Sequence, residues 1–568
     1  MGLVTVDGSG LRLDDTLLPV WSAEMHYWRL DPRDWPRILD AVCDLGFTCV
    51  ASYLPWSRHE RVRGEYDFDG PLDVVRFWTL AAERGLHVIA RPGPNAGAEL
   101  EDSGWPRRVL DDPACQARRP DGRGYLLPTA THHAFMPSYG SRAALDAIAE
   151  WYDVVAPIIA SRLWPNGPIV AVQVDNEMGF HFQPHPFALD YHPGTIAQWH
   201  EWRGLDVDPP RDGREGTVEE RVAWVEFREH HLRRSIGTLA AMLRARGIEQ
   251  VPLLHNDYPR TTTPFDAHAL EANGVVDVAT GDMYATRRGG RYVRDYARHL
   301  AGTSQLPWLA EAGAGWVTLP WLLPMPFEPA DAEHNLWRAL SGGVRAFNVF
   351  MAVERDRWYG SPIGTDGTLR EPLASAYRVA LAMLRALRWN ELRRDVRVLL
   401  VENRNESRRA AAEAVCGDLA PPFVQSLPLD PRVFNRGSAR GDEIAAWERG
   451  WREHLDANGV DWNSASSSSL PDLHPYELVV VASRTTLGSE ATETLAKAEE
   501  DGIRVVTDDV DPATVRLPRG VTSGYADVDL TRFVAPTGDE LLLAVNGSDE
   551  SRTVRNVDIP AWGSAVLR

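Results

Sequence analysis

From residue 19 to residue 354 the chain alternates between two kinds of pattern. Short runs rich in apolar and β-branched residues read as strands: "PVWSAEMHY", "FTCVASYLPW", "LHVIARPGP", "PIVAVQVDNE", "VPLLHNDY", "VVDVATGDMY", "LPWLAEAGAGW" and "VRAFNVFMAVE". Most are separated by stretches with helical spacing. In "DPRDWPRILDAVCDLGF", for example, Trp35, Ile38, Leu39, Val42 and Leu45 share one face, and Gly46 is a stop signal. Strands this continuously apolar have both faces covered, as in a parallel sheet wrapped by helices. The expectation is an α/β fold, a (β/α)8 barrel over residues 1–390, with an open doubly wound sheet as the competitor.

The polar residues decide between these two. Seven of the eight runs finish on a functional side chain: Glu24 with His26, Tyr53, Glu99, Asn176 with Glu177, Asn256, Tyr284 and Glu311. A barrel brings such ends together at its C-terminal mouth, whereas an open sheet spreads them along an edge. Glu177 and Glu311 end the fourth and seventh strands, which places them on opposite sides of that mouth. Two carboxyls facing one point are what glycosidic cleavage requires, roughly 5–5.5 Å apart for retention and about 6.5–9.5 Å for inversion. Asn176 beside Glu177 is placed to bind a sugar hydroxyl, and the Tyr284 phenol to hold a carboxylate. Asp175 alternates away from Glu177 and is expected to be structural. Any one of these glutamates alone is more simply a solvated or ion-paired strand end, so the case rests on the set.

Beyond residue 390 the texture changes. "VRVLLVENRNESR", "YELVVVASRTTLG" and "GIRVVTDDV" predict a smaller α/β domain over 391–525, with "NSASSSSLPD" as a low-complexity loop inside it. The alternating runs around the Asn-Gly turn in 526–568 predict a small antiparallel β domain.

Composition narrows the function. The 568 residues are 44% hydrophobic and carry 80 acidic against 60 basic side chains, a formal net charge of −20. Such a surface repels nucleic acid and anionic membranes. No run is long enough for a transmembrane helix, and the N-terminus lacks a secretory pattern, so a cytoplasmic location is expected. Cys43, Cys49, Cys115 and Cys416 are scattered, and His132–His133 lacks ligand spacing, so no metal site is predicted. Walker, G-x-G-x-x-G, H-E-x-x-H and G-x-S-x-G motifs are absent. The 21 tryptophans are either core filler or platforms for sugar rings.

The stretch "AEMHYWRLDPRDWPRILDAVCDLGFTCVASYLPWSRHERVRGEYDFDG", followed by "LDVVRFWTLAAERGLHVIARPGPNAGAELEDSGWP", resembles the opening of the glycoside hydrolase family 35 β-galactosidases. "GPIVAVQVDNEMG" looks like that family's acid/base segment and "EAGAGW" like its nucleophile segment. The long helix, "LLHNDYP" and "VVDVATGDMY" are more similar to family 42, as are the two following domains. Both families belong to the clan of retaining (β/α)8 glycosidases. The resemblance implies Glu177 as acid/base, Glu311 as nucleophile and Asn176 on the 2-hydroxyl. It implies Tyr53, Gly97, Ala98 and Glu99 along the sugar pocket, with Tyr284 beside the nucleophile. Asn95, Gly97 and Leu100 depart from family 35, which usually has Tyr, Cys or Asn, and Trp there, so the pocket is enlarged or re-aimed. The expected activity is a retaining exo-β-glycosidase with no cofactor, acting on an oligosaccharide or glycoside, with β-galactosidase first. The alternatives are exo-β-glucosaminidase, β-glucosidase, arabinosidase or transglycosidase action, or a non-catalytic sugar-binding protein. The family 42 likeness implies a homo-oligomer, a dimer or trimer.

Overall fold

The structure is a computed structural model that describes residues 3–128, 133–179, 186–257, 266–318, 327–413, 439–508 and 510–567. His132 and Cys416 lie outside the described residues. Eight parallel strands close into a barrel: β1 (Trp21–Glu24), β2 (Cys49–Tyr53), β3 (His87–Arg91), β4 (Ile169–Gln173), β5 (Leu253–Asp257), β6 (Val278–Met283), β7 (Trp308–Gly313) and β8 (Ala346–Phe350). Each pairs with its sequence neighbour, and β8 closes on β1 through Phe347 opposite Trp21 and Val349 opposite Ala23. All eight strand predictions fall on barrel strands.

The helices follow from their apolar faces. Helix α1 (Trp35–Leu45) buries Trp35, Ile38, Leu39, Val42 and Leu45 and ends on Gly46 in the left-handed conformation. Helices α2 (Val74–Ala82), α3 (Arg142–Ala160) and α4 (Val218–Arg244) follow β2, β3 and β4 in turn. A capping box between Thr217 and Glu220 satisfies the N-terminus of α4. Helices α5 (Ala267–Ala272), α6 (Gly290–Thr303), α7 (Pro329–Ser341) and α8 (Leu373–Ala386) complete the ring. At least ten tryptophans, Trp35, Trp78 and Trp151 among them, are fully buried, so these serve as core.

Two smaller sheets follow. Strands β9 (Val398–Glu402), β10 (Trp462–Ser466), β11 (Leu478–Val481) and β12 (Arg504–Val506) form a parallel sheet in the order β10-β9-β11-β12. The first residues of "NSASSSSLPD" therefore do not form a loop. Asn463 to Ser466 pair with Leu399 to Glu402 and are buried, so ladder hydrogen bonds and burial override the serine-rich composition. Strands β13 (Val528–Val534), β14 (Glu540–Asn546) and β15 (Ser564–Leu567) are antiparallel, and Arg393–Arg394 joins the edge of this sheet.

A buried lattice of charges ties the three parts together. Arg298 on α6 reaches Asp456 at 3.0 Å and Asp461 at 2.8 Å. Arg294 pairs with both Asp456 and Asp529, Arg338 with Asp529 at 2.6 Å, and Arg394 with Asp461 at 2.7 Å.

Candidate active site

Glu311 lies on β7 at the barrel mouth, buried to 3% exposure, with donors around both oxygens. Arg91, the last residue of β3, donates from Nη2 to Oε1 at 2.5 Å. The Tyr53 hydroxyl at the end of β2 is 2.6 Å from the same oxygen, and the Tyr284 hydroxyl donates to Oε2. Burial raises the Tyr53 phenol well above its ordinary range, so it stays a protonated donor. A guanidinium and two phenols thus fix the orientation of this carboxyl, with the arginine bond charge-assisted.

Glu177 is arranged differently. Burial pushes its carboxyl well above the usual range, and the charges of Glu311 and Asp257 push it further. One carboxyl is ringed by donors while its neighbour is pushed toward its acid form, and environments that differ in this way separate the roles of paired carboxyls. Strand β4 ends at Gln173, and Asp175 and Glu177 both take positive φ, at 56° and 40°. Strand alternation would in any case place residues two apart on the same face, so the reason expected for turning Asp175 away from Glu177 does not hold, and the strand has stopped before either residue. Asp175 is held away by its partners instead. Its carboxylate accepts from the Asn95 N–H at 2.7 Å and the Tyr139 hydroxyl at 2.5 Å, and burial raises its pKa to about 6.

Asn176 precedes Glu177 in the chain and touches the same tyrosine as Glu311. Its Oδ1 lies 2.5 Å from the Tyr53 hydroxyl and accepts from Asn256 Nδ2 at 2.9 Å. Gly97 lies against its other end: a Cβ on Gly97 would stand 3.2 Å from Asn176 Nδ2, and φ of +55° disfavours any other residue. Asn95, one of the departures from family 35, donates from Nδ2 to the Asn176 carbonyl at 2.9 Å and so knots the two loops together. Ala98 and Glu99 form the next part of this loop. Ala98 O accepts from Arg29 at 2.8 Å, Glu99 O accepts from Arg357 at 2.8 Å, and the Glu99 carboxylate pairs with buried Arg355. The structure thus gathers Tyr53, Gly97, Asn176, Glu177, Tyr284 and Glu311 around one point and ties Ala98 and Glu99 to arginines beside it.

Arg91 is not among the site residues that the sequence marked. In the structure Arg91 bridges Glu311 and Glu24, with Glu24 at 3.1 Å. Asn348 donates to the same Glu24 oxygen at 2.7 Å, and burial holds the Glu24 carboxyl above its usual range. Gln173, Asp282 and Asn348 also belong to this polar layer and went unnoticed. A signal was available: each is a polar residue inside an otherwise apolar strand. Among the described residues no group of three His, Cys, Asp or Glu side chains is arranged to hold a metal. Nor is any described helix long and apolar enough to cross a membrane.

With this geometry in place, comparison with known proteins is informative. Residues 10–133 match the model of glycosyl hydrolases family 35. The chain resembles family 35 and family 42 β-galactosidases. An exo-β-D-glucosaminidase of Thermococcus kodakarensis is 32% identical over 219 residues, 36% of this chain and 26% of that protein. A mouse β-galactosidase is 35% identical over 171 residues, 30% of this chain and 23% of that one. The chain thus matches only about a quarter of the length of these curated relatives. Solved structures agree over much more of the fold. A β-galactosidase from Rahnella sp. R3 superimposes with a TM-score of 0.73 at 13% identity, covering 97% of this chain and 98% of that one. A catalytic mutant of a GH42 β-galactosidase from G. stearothermophilus gives 0.60 at 11% identity, covering 96% and 84%. The shared feature is the fold. Glu177 and Glu311 lie beyond the segment that the family 35 model matches.

Proposed function

We propose that this protein is a retaining exo-β-glycosidase that removes a terminal β-linked sugar, with β-D-galactosides as its first substrate class. The observation that carries this reading is the contrast between the two buried glutamates. Glu311 is ringed by Arg91, Tyr53 and Tyr284, while burial and neighbouring negative charge keep a proton on Glu177.

In the first step a Glu311 oxygen attacks the anomeric carbon as the bond to the leaving oxygen breaks. Glu177 delivers its proton to that oxygen. Glu177, now a carboxylate, then takes a proton from water, whose oxygen attacks the same carbon and releases Glu311. The sugar leaves with its configuration retained, and two carboxyls suffice without a metal or organic cofactor. The same machinery on another β-sugar is the second reading. It is favoured by Asn95 and Gly97 in the pocket loop and by the exo-β-D-glucosaminidase relative. The reading also takes the enzyme as cytoplasmic and homo-oligomeric, which fractionation and light scattering would test.

The direct test is turnover of an aryl β-glycoside panel, with the anomer first released followed by NMR. Glu311→Gln and Glu177→Gln are each expected to lose activity by about 10³-fold or more. Azide is expected to restore turnover to Glu177→Ala by replacing water. Normal turnover in either glutamine variant, or inversion at the anomeric carbon, refutes the proposal.

A further inference from the structure

Gly97, Ala98 and Glu99 pass through the left-handed region one after another, with φ of 55°, 52° and 49°. Only the first is a glycine, so Ala98 and Glu99 hold a conformation that ordinary side chains disfavour. Such a turn persists where its surroundings over-determine it. Here the surroundings are the tip of one hairpin. The Arg355 N–H donates to Trp358 O at 3.3 Å and the Trp358 N–H to Arg355 O at 3.2 Å, which leaves Asp356 and Arg357 as a two-residue tip. Arg355, Asp356 and Arg357 all act on the turn. The buried Arg355 guanidinium pairs with the Glu99 carboxylate. Arg357 donates from Nη1 to Glu99 O at 2.8 Å. Asp356 pairs with Arg29 Nε at 2.5 Å, and Arg29 Nη2 donates to Ala98 O at 2.8 Å.

The hairpin is anchored on the chain that leaves β7. Trp358 and Tyr359 pair with Val317 and Trp316, a few residues past Glu311, and the Arg357 carbonyl accepts the Thr318 N–H at 2.8 Å. Its tip therefore joins the loops after β7 and β8 to Arg29 after β1 and to the loop after β3. The turn in that last loop borders the site, since a Cβ on Gly97 would stand 3.2 Å from Asn176 Nδ2. We propose that Arg355, Asp356 and Arg357 are positioning residues that clasp the strained turn Gly97–Glu99 in the conformation that receives the sugar. This rests on the glycosidase reading above and adds to it what sets affinity. The bonds of the clasp run to the turn and to Arg29. Loosening them lowers the fraction of enzyme ready to bind and leaves the chemistry of bound substrate alone, so the loss falls on KM. Asp356 has a particular part. Burial and then the neighbouring Arg355 charge bring Arg29 down to about 10, and the Asp356 carboxylate opposes both. Without it, the guanidinium that holds Ala98 O lies buried beside a like charge.

The test uses Asp356→Asn, a change of charge at a side chain 59% exposed, with Asp356→Glu as the conservative partner. On the aryl β-glycoside that the unaltered enzyme turns over best, Asp356→Asn is expected to raise KM by about 5-fold or more with kcat within about 3-fold. Asp356→Glu should restore most of the lost affinity. Hydrogen exchange followed by mass spectrometry gives a readout that does not depend on turnover. The Ala96 and Gly97 N–H groups both bond to Ser103 O, at 2.9 and 3.0 Å. Their exchange should quicken by about 5-fold or more in Asp356→Asn, with the barrel strands unchanged. Arg357→Ala is expected to show the same two changes. Parent KM in Asp356→Asn, parent exchange over residues 96–103, or kcat lost at constant KM each overturn the inference and leave the glycosidase reading standing. No turnover of any glycoside by the unaltered enzyme removes the glycosidase reading and this inference with it. Should Asp356→Asn not fold, Arg357→Ala carries both readouts.

Discussion

Arg91 grips Glu311 with one nitrogen of its guanidinium, at 2.5 Å, and Glu24 with a second, at 3.1 Å. The arginine is 1% exposed, so both pairs lie in a dry part of the barrel. Although burial opposes its charge, the carboxyls of Glu24, Glu311 and Asp282 around it hold Arg91 above its ordinary range.

Arg91→Met is therefore expected to destabilise the protein by about 3–5 kcal/mol, since it strands buried carboxyls without their partner. Arg91→Lys keeps a charge but loses the planar fork that spans Glu24, Gln173 and Glu311. It is expected to fold, with kcat reduced by about 10²-fold. Thermal unfolding read together with kcat separates the two losses, and wild-type kcat in the lysine variant would contradict the bridging role.

Tyr284→Phe removes one hydrogen bond to the Glu311 carboxyl and little volume. Such a bond contributes about 1.5–3 kcal/mol, so kcat should fall by roughly 10- to 150-fold with KM nearly unchanged. A change confined to KM would show that the phenol binds substrate and leaves the nucleophile alone.

The pH profile has a direction. Burial and then the Glu311 charge raise Glu177, so its acid form persists above the ordinary carboxylate range. Activity should hold below the raised value and fall as pH rises through it. A substrate with a poor leaving group is expected to show this alkaline limb in kcat/KM, and Glu177→Gln to lack it. A limb at about pH 4, the unperturbed range, would count against Glu177 as the acid.

Asp175→Asn should act through the loop. The carboxylate accepts from the Asn95 N–H and the Tyr139 hydroxyl, and an amide would turn a donor toward one of them. The expected result is a KM raised several-fold with kcat within about 3-fold, because the loop carrying Gly97 is loosened and Glu311 is not.

The charge lattice between domains gives a stability prediction. Burial acts to raise the Asp456 carboxyl, but Arg298 and Arg294 outweigh it and bring it down to about 2. A carboxyl lowered on folding stabilises the protein fully above its unfolded pKa, near 4, and loses that contribution as pH falls toward 2. Asp456→Asn should lower the unfolding midpoint at pH 7 and narrow the gap between variant and parent as the pH is taken from 4 to 2. A gap that stays constant with pH would locate the stabilisation elsewhere.

The sequence by itself determined the barrel and the parts at its mouth. Apolar runs of strand length alternating with amphipathic helices permit few packings, and the polar residue closing each run marked Tyr53, Asn176, Glu177, Tyr284 and Glu311. Periodicity is local, so one chain segment suffices to see it. Partners are not local. Arg91 and Glu311 are 220 residues apart, Tyr53 and Glu311 258, and nothing along the chain says which cation meets which carboxylate. The serine-rich stretch after Trp462 became a strand because Val398–Glu402 supplied a ladder, and Asp175 found its place through Tyr139 and Asn95. Tertiary structure decided which glutamate is ringed by donors, which is pushed toward its acid form, and which end of Asn176 lies beside Gly97. Each depends on burial and on hydrogen bonds between distant segments, which exist only once the barrel has closed.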